Sequence, residues 1–441
     1  MTALRPGSPT MSPRNRMRII CRFYRNFHGA QCKNSRTLKA AHVTVAFLFF
    51  TASLNAALSP LAPLPDWSKL GAFQETITRQ DFVALLDKVY APAGVWKETI
   101  AVQDDMAIIT TRPDEPPFLL RFARTRDTAK SIPAYWRGRA QLPAEEPGKP
   151  LAGLRIAIDP GHIGGYWAKM EERWFQIGDA PPVAEGDMTL AVAEILAPRL
   201  ENLGAQVFLT RRKPTPSTSL SPGQLESAAI ASLTDKGTSA DEENLRKESE
   251  RLFYRVAEIR RRAKRINEIT RPDVVICLHF NAEPWGDATN PQLVNQNHLH
   301  FLIAGALSAQ ELAYEDQRYD MLVKLLNRSF LEELALTNVI SRKMGAATGL
   351  PPYFYRTGTA IRVNANPYVW ARNLLANRLF VCPVIYIEPY VMNSRLVFAR
   401  ILAGDFKGRR NFGGAMRKSV YREYADAVAD GVVEYYSRRS L

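Results

Sequence analysis

From residue 151 onwards the hydrophobic positions follow two alternating patterns. Continuous apolar runs, typical of strands buried on both faces, are separated by stretches with the apolar period of a helix face. The predicted strands are LRIAIDP, AQVFLTR, PDVVICLHF, HLHFLIAG and RLFVCPVIYIEPY. The predicted helices are MTLAVAEILAPRLENLG, residues 241–268 and residues 308–336. This alternation predicts an α/β fold with a largely parallel sheet flanked by helices.

A smaller unit precedes this region, between proline clusters at residues 60–65 and 143–150. DFVALLDKVYA has helical spacing, whereas ETIAVQDDMAIITT and PFLLRFA have the composition of strands. We therefore predict a small α+β domain of unknown role over residues 66–148, followed by the main domain over residues 150–437.

The N-terminal segment has the composition of a targeting signal. Residues 1–40 hold nine basic residues, and no acidic residue occurs before Asp66. The apolar run Val43–Ala57 follows and ends in small residues, which predicts a secretory signal over residues 1–57 and an exported, periplasmic or cell-envelope protein. The alternative is a retained membrane anchor, although a span ordinarily needs about 20 apolar residues.

Charge and cysteine content narrow the function further. The whole chain carries +14, but without residues 1–40 it carries only +5, so a nucleic-acid partner is not predicted. A mildly basic body suits an anionic polymer such as a cell wall. Cys277 and Cys382 lie in apolar runs without CxxC spacing, which indicates buried thiols and not a cysteine zinc site.

Two histidines directly follow predicted strands, where α/β sheets bind their ligands. His162 lies in IAIDPGHIGG and His279 in VVICLHFNAE. A catalytic zinc takes about three protein ligands and keeps one position open, and Glu185, just before a predicted helix, is a candidate third ligand. Taken singly, such a histidine is ordinarily a hydrogen-bonded core residue and such a glutamate a helix-dipole partner. Their combination favours a metal site.

Other side chains compete for these roles. Glu171 and Glu172 lie between the first histidine and Glu185, and either is an alternative third ligand. His298 and His300 form an HxH pair on one face of a predicted strand, a spacing that can chelate a metal. We expect the pair to line or support the cleft instead.

Four blocks of the chain carry a family resemblance: IAIDPGHIGG, EGDMTLAVAEILAPRLENLGAQVFLTR, RINEITRPDVVICLHFNAE and PVIYIEPYVMNS. From Leu151 to about Ser394 the chain resembles the zinc-dependent N-acetylmuramoyl-L-alanine amidases of the amidase-3 type. The resemblance implies one Zn²⁺ per chain, held by His162, Glu185 and His279. It also implies that Glu388 is the catalytic acid–base.

The implied reaction is hydrolysis of the amide between N-acetylmuramic acid and L-alanine, with peptidoglycan as the partner. The alternatives are another zinc peptidase acting within the stem peptide and an inactive wall-binding protein. Asp159 is expected to support the His162 turn from behind the metal ligands. Ile163 after the histidine and Pro389 after Glu388 depart from the family pattern.

The segment Lys213–Gly237 is rich in proline, serine and threonine at its start, which predicts a loop. It is either a tolerated surface insertion or a lid over the site. A regulatory partner is possible on this reading, but nothing in the sequence identifies one.

Overall fold

The computed structural model of the chain describes residues 58–287 and 290–437. The predicted signal, residues 1–57, lies outside these residues and stays a prediction. No helix within the described ranges has both the length and the apolar content needed to cross a membrane.

Within these described residues, the strands form one large sheet and three small ones. In chain order they are β1 (Ile100–Val102), β2 (Met106–Ile109), β3 (Phe118–Arg121), β4 (Arg155–Pro160), β5 (Trp174–Phe175), β6 (Val183–Ala184), β7 (Gln206–Leu209), β8 (Val274–Leu278), β9 (Leu299–Ile303), β10 (Ile361–Arg362), β11 (Val369–Ala371), β12 (Val384–Pro389), β13 (Arg410–Phe412) and β14 (Ala415–Arg417). The large sheet has the order β10-β11-β9-β12-β8-β4-β7.

Strand direction in the large sheet decides where side chains meet. Strands β12, β8, β4 and β7 are parallel neighbours, which confirms the predicted α/β class. Strand β9 runs antiparallel to β12, so the start of β9 lies beside the carboxyl end of β12. Residues from β9 therefore reach the edge of the sheet at which β4, β8 and β12 end.

The helices cover both faces of this sheet. In chain order they are α1 (Arg79–Leu85), α2 (Glu185–Asn202), α3 (Glu226–Asp235), α4 (Glu242–Leu252), α5 (Glu258–Arg265), α6 (Ala309–Ala313), α7 (Glu315–Leu326), α8 (Ser329–Thr348), α9 (Leu375–Leu379), α10 (Arg395–Leu402) and α11 (Val420–Tyr436). Helices α2, α8 and α11 bury one sheet face, and α5 and α9 contribute to the core on the other. Alternate strand residues supply the two cores, as the strand period of two requires.

The small sheet β1-β2-β3 and helix α1 form in the predicted small α+β region. Phe82 and Leu120 of this region are fully buried in one apolar cluster with Ile303 of β9 and Leu325 of α7. Apolar packing thus connects residues 66–148 to the large sheet, and the predicted boundary between two domains stays a prediction.

The segment Lys213–Gly237 is only partly the loop predicted from its composition. Its first part is irregular, but α3 follows and packs beside α4. The Glu248 carboxylate on α4 accepts hydrogen bonds from Arg251, Lys236 and the Ser232 hydroxyl. Although burial acts to raise it, these hydrogen bonds hold the pKa of Glu248 at about 2. A buried ionic contact therefore links the segment Lys213–Gly237 to α4.

The last predicted strand, RLFVCPVIYIEPY, is shorter than expected. Its first residues belong to α9, and the strand begins only at Val384. Between them, the buried Lys324 ammonium binds the carbonyls of Phe380 and Cys382 and the carboxylate of Glu333. These carbonyls are satisfied by a side chain and need no neighbouring strand.

Candidate metal centre

The turn after β4 places His162 at the sheet edge in an unusual backbone conformation. His162 has φ of 60°, a left-handed value that a non-glycine residue rarely adopts and that occurs often at functional sites. Arg262 of α5 donates to the carbonyls of Pro160 and His162 at 2.9 and 2.8 Å. The buried guanidinium thus holds both sides of the turn.

The buried Glu171 carboxylate stabilises the same turn by binding its backbone N–H groups. It accepts the backbone N–H groups of Ile163 and Gly164 at 2.8–3.0 Å, and it lies 3.5 Å from Nδ1 of His162. The competing candidate Glu172 is exposed. Glu171 therefore orients the imidazole and the turn, a role that the sequence analysis had not assigned to it.

Three side chains with metal-ligand chemistry converge beside this turn. His162, Glu185 and His279 offer ligand atoms that all lie within 4.8 Å of one another. Nε2 of His162 is 3.2 Å from one Glu185 oxygen, and Nδ1 of His279 is 3.1 Å from the other. Two imidazoles and one carboxylate are a donor set that suits zinc.

Close backbone packing produces this convergence. A Cβ atom added to Gly161 would lie 2.2 Å from Cε1 of His279, so the second imidazole occupies the space that only glycine leaves free. The ring of His279 also stacks on Tyr386 at 4.2 Å between centroids. The glycine before His162 is thus required for the approach of the two histidines.

The charges around His162 favour a cation. Burial acts to lower its pKa, but the carboxylates of Glu185 and Glu171 raise it to about 9. The pKa of Glu185 is held well below its usual range by His162, against the effect of burial. A site that retains a proton on an imidazole above neutral pH also stabilises a divalent ion in place of that proton.

Arg173 contacts this cluster as well. Its Nε lies 3.3 Å from the Glu185 oxygen that faces His162, and its carbonyl accepts the backbone N–H of Glu185. The guanidinium partly neutralises the buried carboxylate. Nothing in the local sequence around Arg173 indicated this contact, because it depends on the fold of the segment before β5.

Glu388 lies on β12, beside His279, which follows the neighbouring strand β8. Ile387 of β12 pairs with Leu278 of β8. The next residues along the two segments, Glu388 and His279, are therefore also neighbours, roughly 5 Å apart at the backbone. Burial, and then the negative charge of Glu185, raise the pKa of Glu388 to about 8. Its carboxyl group is therefore poised to exchange a proton near neutral pH.

Asp159 is connected to the His162 turn through Arg262. Its carboxylate accepts from the hydroxyl of Thr210 and from Arg262. It reaches the turn only through Arg262, whose other donors bind the turn carbonyls. The carboxylate beside Nδ1 of the imidazole is that of Glu171, because the chain after the turn folds back over it.

One cleft of about 590 Å³ connects these groups, with His162, Glu185, His279 and Glu388 in its wall. His300 lines the same cleft, whereas Nε2 of His298 donates to the Glu283 carboxylate at 3.0 Å. Asn281 contacts Nδ1 of both His298 and His300 at 3.4 Å. This arrangement agrees with a supporting role for the HxH pair.

No protein-family model and no curated protein matches the chain. Among solved structures, the N-acetylmuramyl-L-alanine amidase Ami1 from Mycobacterium abscessus is 16% identical, with a TM-score of 0.35, over 64% of this chain and 99% of that chain. Ami1 from Mycobacterium smegmatis is 14% identical, with a TM-score of 0.36, over 65% and 99%. The CwlD amidase from Clostridioides difficile, solved with the GerS lipoprotein, is 14% identical, with a TM-score of 0.35, over 65% and 99%. Likenesses this weak define neither the family nor the activity of the chain.

Proposed function

We propose that the chain is a zinc-dependent hydrolase that cleaves the amide between N-acetylmuramic acid and L-alanine in peptidoglycan. The observation that carries the proposal is the cluster of His162, Glu185 and His279, with Glu388 in the same cleft wall. The choice of amide rests on the four sequence blocks that resemble the amidase-3 type. The proposal includes export to the cell envelope, which rests on the predicted signal.

The three clustered side chains would hold the ion. Zinc, when bound, supplies Lewis acidity that polarises a carbonyl and acidifies water. Glu185 is kept ionised by His162, and Glu171 keeps Nδ1 of that imidazole occupied, so Nε2 faces Glu185 and the cluster. The metal-ligating side chains are thus already held in position without a bound ion.

Glu388 would move the proton. As a base it takes a proton from the attacking water, and as an acid it delivers that proton to the amine nitrogen as the C–N bond breaks. A pKa of about 8 suits both halves of this cycle near neutral pH.

The test is digestion of purified peptidoglycan by the zinc-loaded full chain, with the fragments identified by mass. We expect intact stem peptides with a free L-alanine amino group, released from uncut glycan. Fragments cut within the stem would instead assign a peptidase. An absence of cleavage, with zinc bound, would leave only wall binding and would overturn the proposal.

A further inference from the structure

Arg372 is a cleft residue that forms no ion pair with any described residue. It follows β11, and its backbone N–H bonds to the carbonyl of Ile303 on β9. Its half-buried guanidinium lies 5.6 Å from the ring centroid of Tyr355, with Nη1 3.5 Å from the phenolic oxygen. Within the described part of the chain no carboxylate lies in ion-pair contact with Arg372, and its charge acts only at longer range on Glu388, whose pKa it acts to lower.

The hydrogen bonds around Tyr355 leave donors and no acceptor. The Asn281 side-chain oxygen accepts from the backbone N–H of Ala282, so its amide nitrogen is the group that donates to Nδ1 of His300. Neutral His300 then carries its proton on Nε2 and donates it to the Tyr355 oxygen, 3.0 Å away. The phenolic oxygen thus accepts from His300 and Arg372, and its own O–H is left to donate.

A group of donors such as this one favours binding of an anion. A guanidinium stays charged at every physiological pH, and a partly buried one is stabilised by a planar acceptor that takes two of its N–H groups. A carboxylate meets that requirement and can also accept the Tyr355 hydroxyl. The group therefore has the composition of a binding site for a substrate carboxylate.

The donors lie in the same cleft as the proposed catalytic residue, Glu388. His300 is directly opposite Glu388 across the β9–β12 pair, which places their Cβ atoms about 4.5–5.5 Å apart. Arg372 lines the same cleft and contacts Tyr355, which in turn contacts His300. We propose that Arg372 and Tyr355 bind the free carboxylate of the stem-peptide residue that follows L-alanine. This inference rests on the proposed amidase function and adds a substrate preference to it.

The test compares two muramyl peptides that differ only at the second stem residue, which carries either a free carboxylate or a carboxamide. With the zinc-loaded full chain, kcat/KM should favour the carboxylate by about 10- to 100-fold, the range expected for one charge-assisted hydrogen-bonded pair. Arg372→Gln should bring that ratio close to one, mainly by slowing the acid peptide. Arg372→Lys should keep part of the preference, because the charge remains but the planar pair of donors is lost.

The controls separate a binding role from a structural one. Arg356→Gln removes the same charge from an exposed residue near Tyr355 and should leave the ratio unchanged. Tyr355→Phe should lower the ratio in part. Equal hydrolysis of both peptides by the parent chain, or equal losses on both in Arg372→Gln, would overturn the subsite while leaving the amidase function in place. Hydrolysis of neither peptide would overturn the amidase function and this inference with it.

Discussion

Removal of the Glu171 carboxylate tests whether that residue orients the metal centre or binds the metal. It accepts two buried backbone N–H groups, from Ile163 and Gly164, and contacts Nδ1 of His162. In Glu171→Ala both donors lose a charged acceptor inside the protein. A hydrogen bond to a charged group contributes about 1.5–3 kcal/mol, so for two of them we expect a loss of about 3–6 kcal/mol in the free energy of unfolding.

Zinc binding should weaken without disappearing. Loss of a group that orients a metal-bound histidine typically costs about 10- to 100-fold in metal affinity. Glu171→Ala should therefore bind zinc about 10- to 100-fold more weakly than the parent. Glu171→Gln should have an intermediate zinc affinity, because its amide oxygen still accepts one N–H. Urea unfolding of the apo protein and zinc titration against a competing chelator measure the two effects.

The neighbouring Glu172 provides the matched control, because it is one residue away and exposed. Glu172→Ala should change stability by no more than about 0.5 kcal/mol and leave zinc affinity unchanged. Complete loss of zinc in Glu171→Ala, with a folded protein, would make Glu171 a ligand. Unchanged stability and affinity would contradict its assigned role altogether.

Three further substitutions test packing and charge. Gly161→Ala should lower zinc affinity by at least about 10-fold, because its Cβ would meet His279, whereas Gly223→Ala, with no atom within 4 Å of the new Cβ, should not. Lys324→Met should lower the unfolding free energy by about 3–5 kcal/mol in urea titrations, because its buried carboxylate partner is left unpaired. Glu248→Gln should cost about 1–3 kcal/mol at pH 7. Because the folded-state pKa of Glu248 is about 2, below its usual 4.5, that cost should shrink as pH falls from 4.5 towards 2.

The sequence was sufficient for five strands of the large sheet, β4, β7, β8, β9 and β12, and for the three side chains that meet at its edge. Continuous apolar runs identified β4 and β8, and a histidine directly after each run lies in the structure beside the other. The sequence could predict that the two histidines meet because parallel neighbouring strands end at the same edge of a sheet, where residues far apart in the chain come together. Glu185 joined them because the predicted helix begins at that same edge.

The remaining parts of the site depend on features with little local signal. Strand β11 has three residues and was not predicted, so nothing in the sequence placed Arg372 in the cleft. The reversed direction of β9, which puts His300 opposite Glu388, is a matter of topology that apolar spacing does not encode. The contact of Glu171 with the turn needs His162 in a left-handed conformation, which no composition rule predicts for histidine.

The most direct test of the account measures zinc content, melting temperature and amide hydrolysis on one preparation of Glu388→Gln. Because the three ligands are complete without this residue, the variant should bind zinc like the parent and melt near the parent temperature. Glutamine keeps the volume but cannot accept and return a proton, so turnover should fall by about 10²–10⁴-fold. Near-normal turnover would contradict the proton-transfer role of Glu388, and loss of zinc would make Glu388 a ligand and contradict the three-ligand centre.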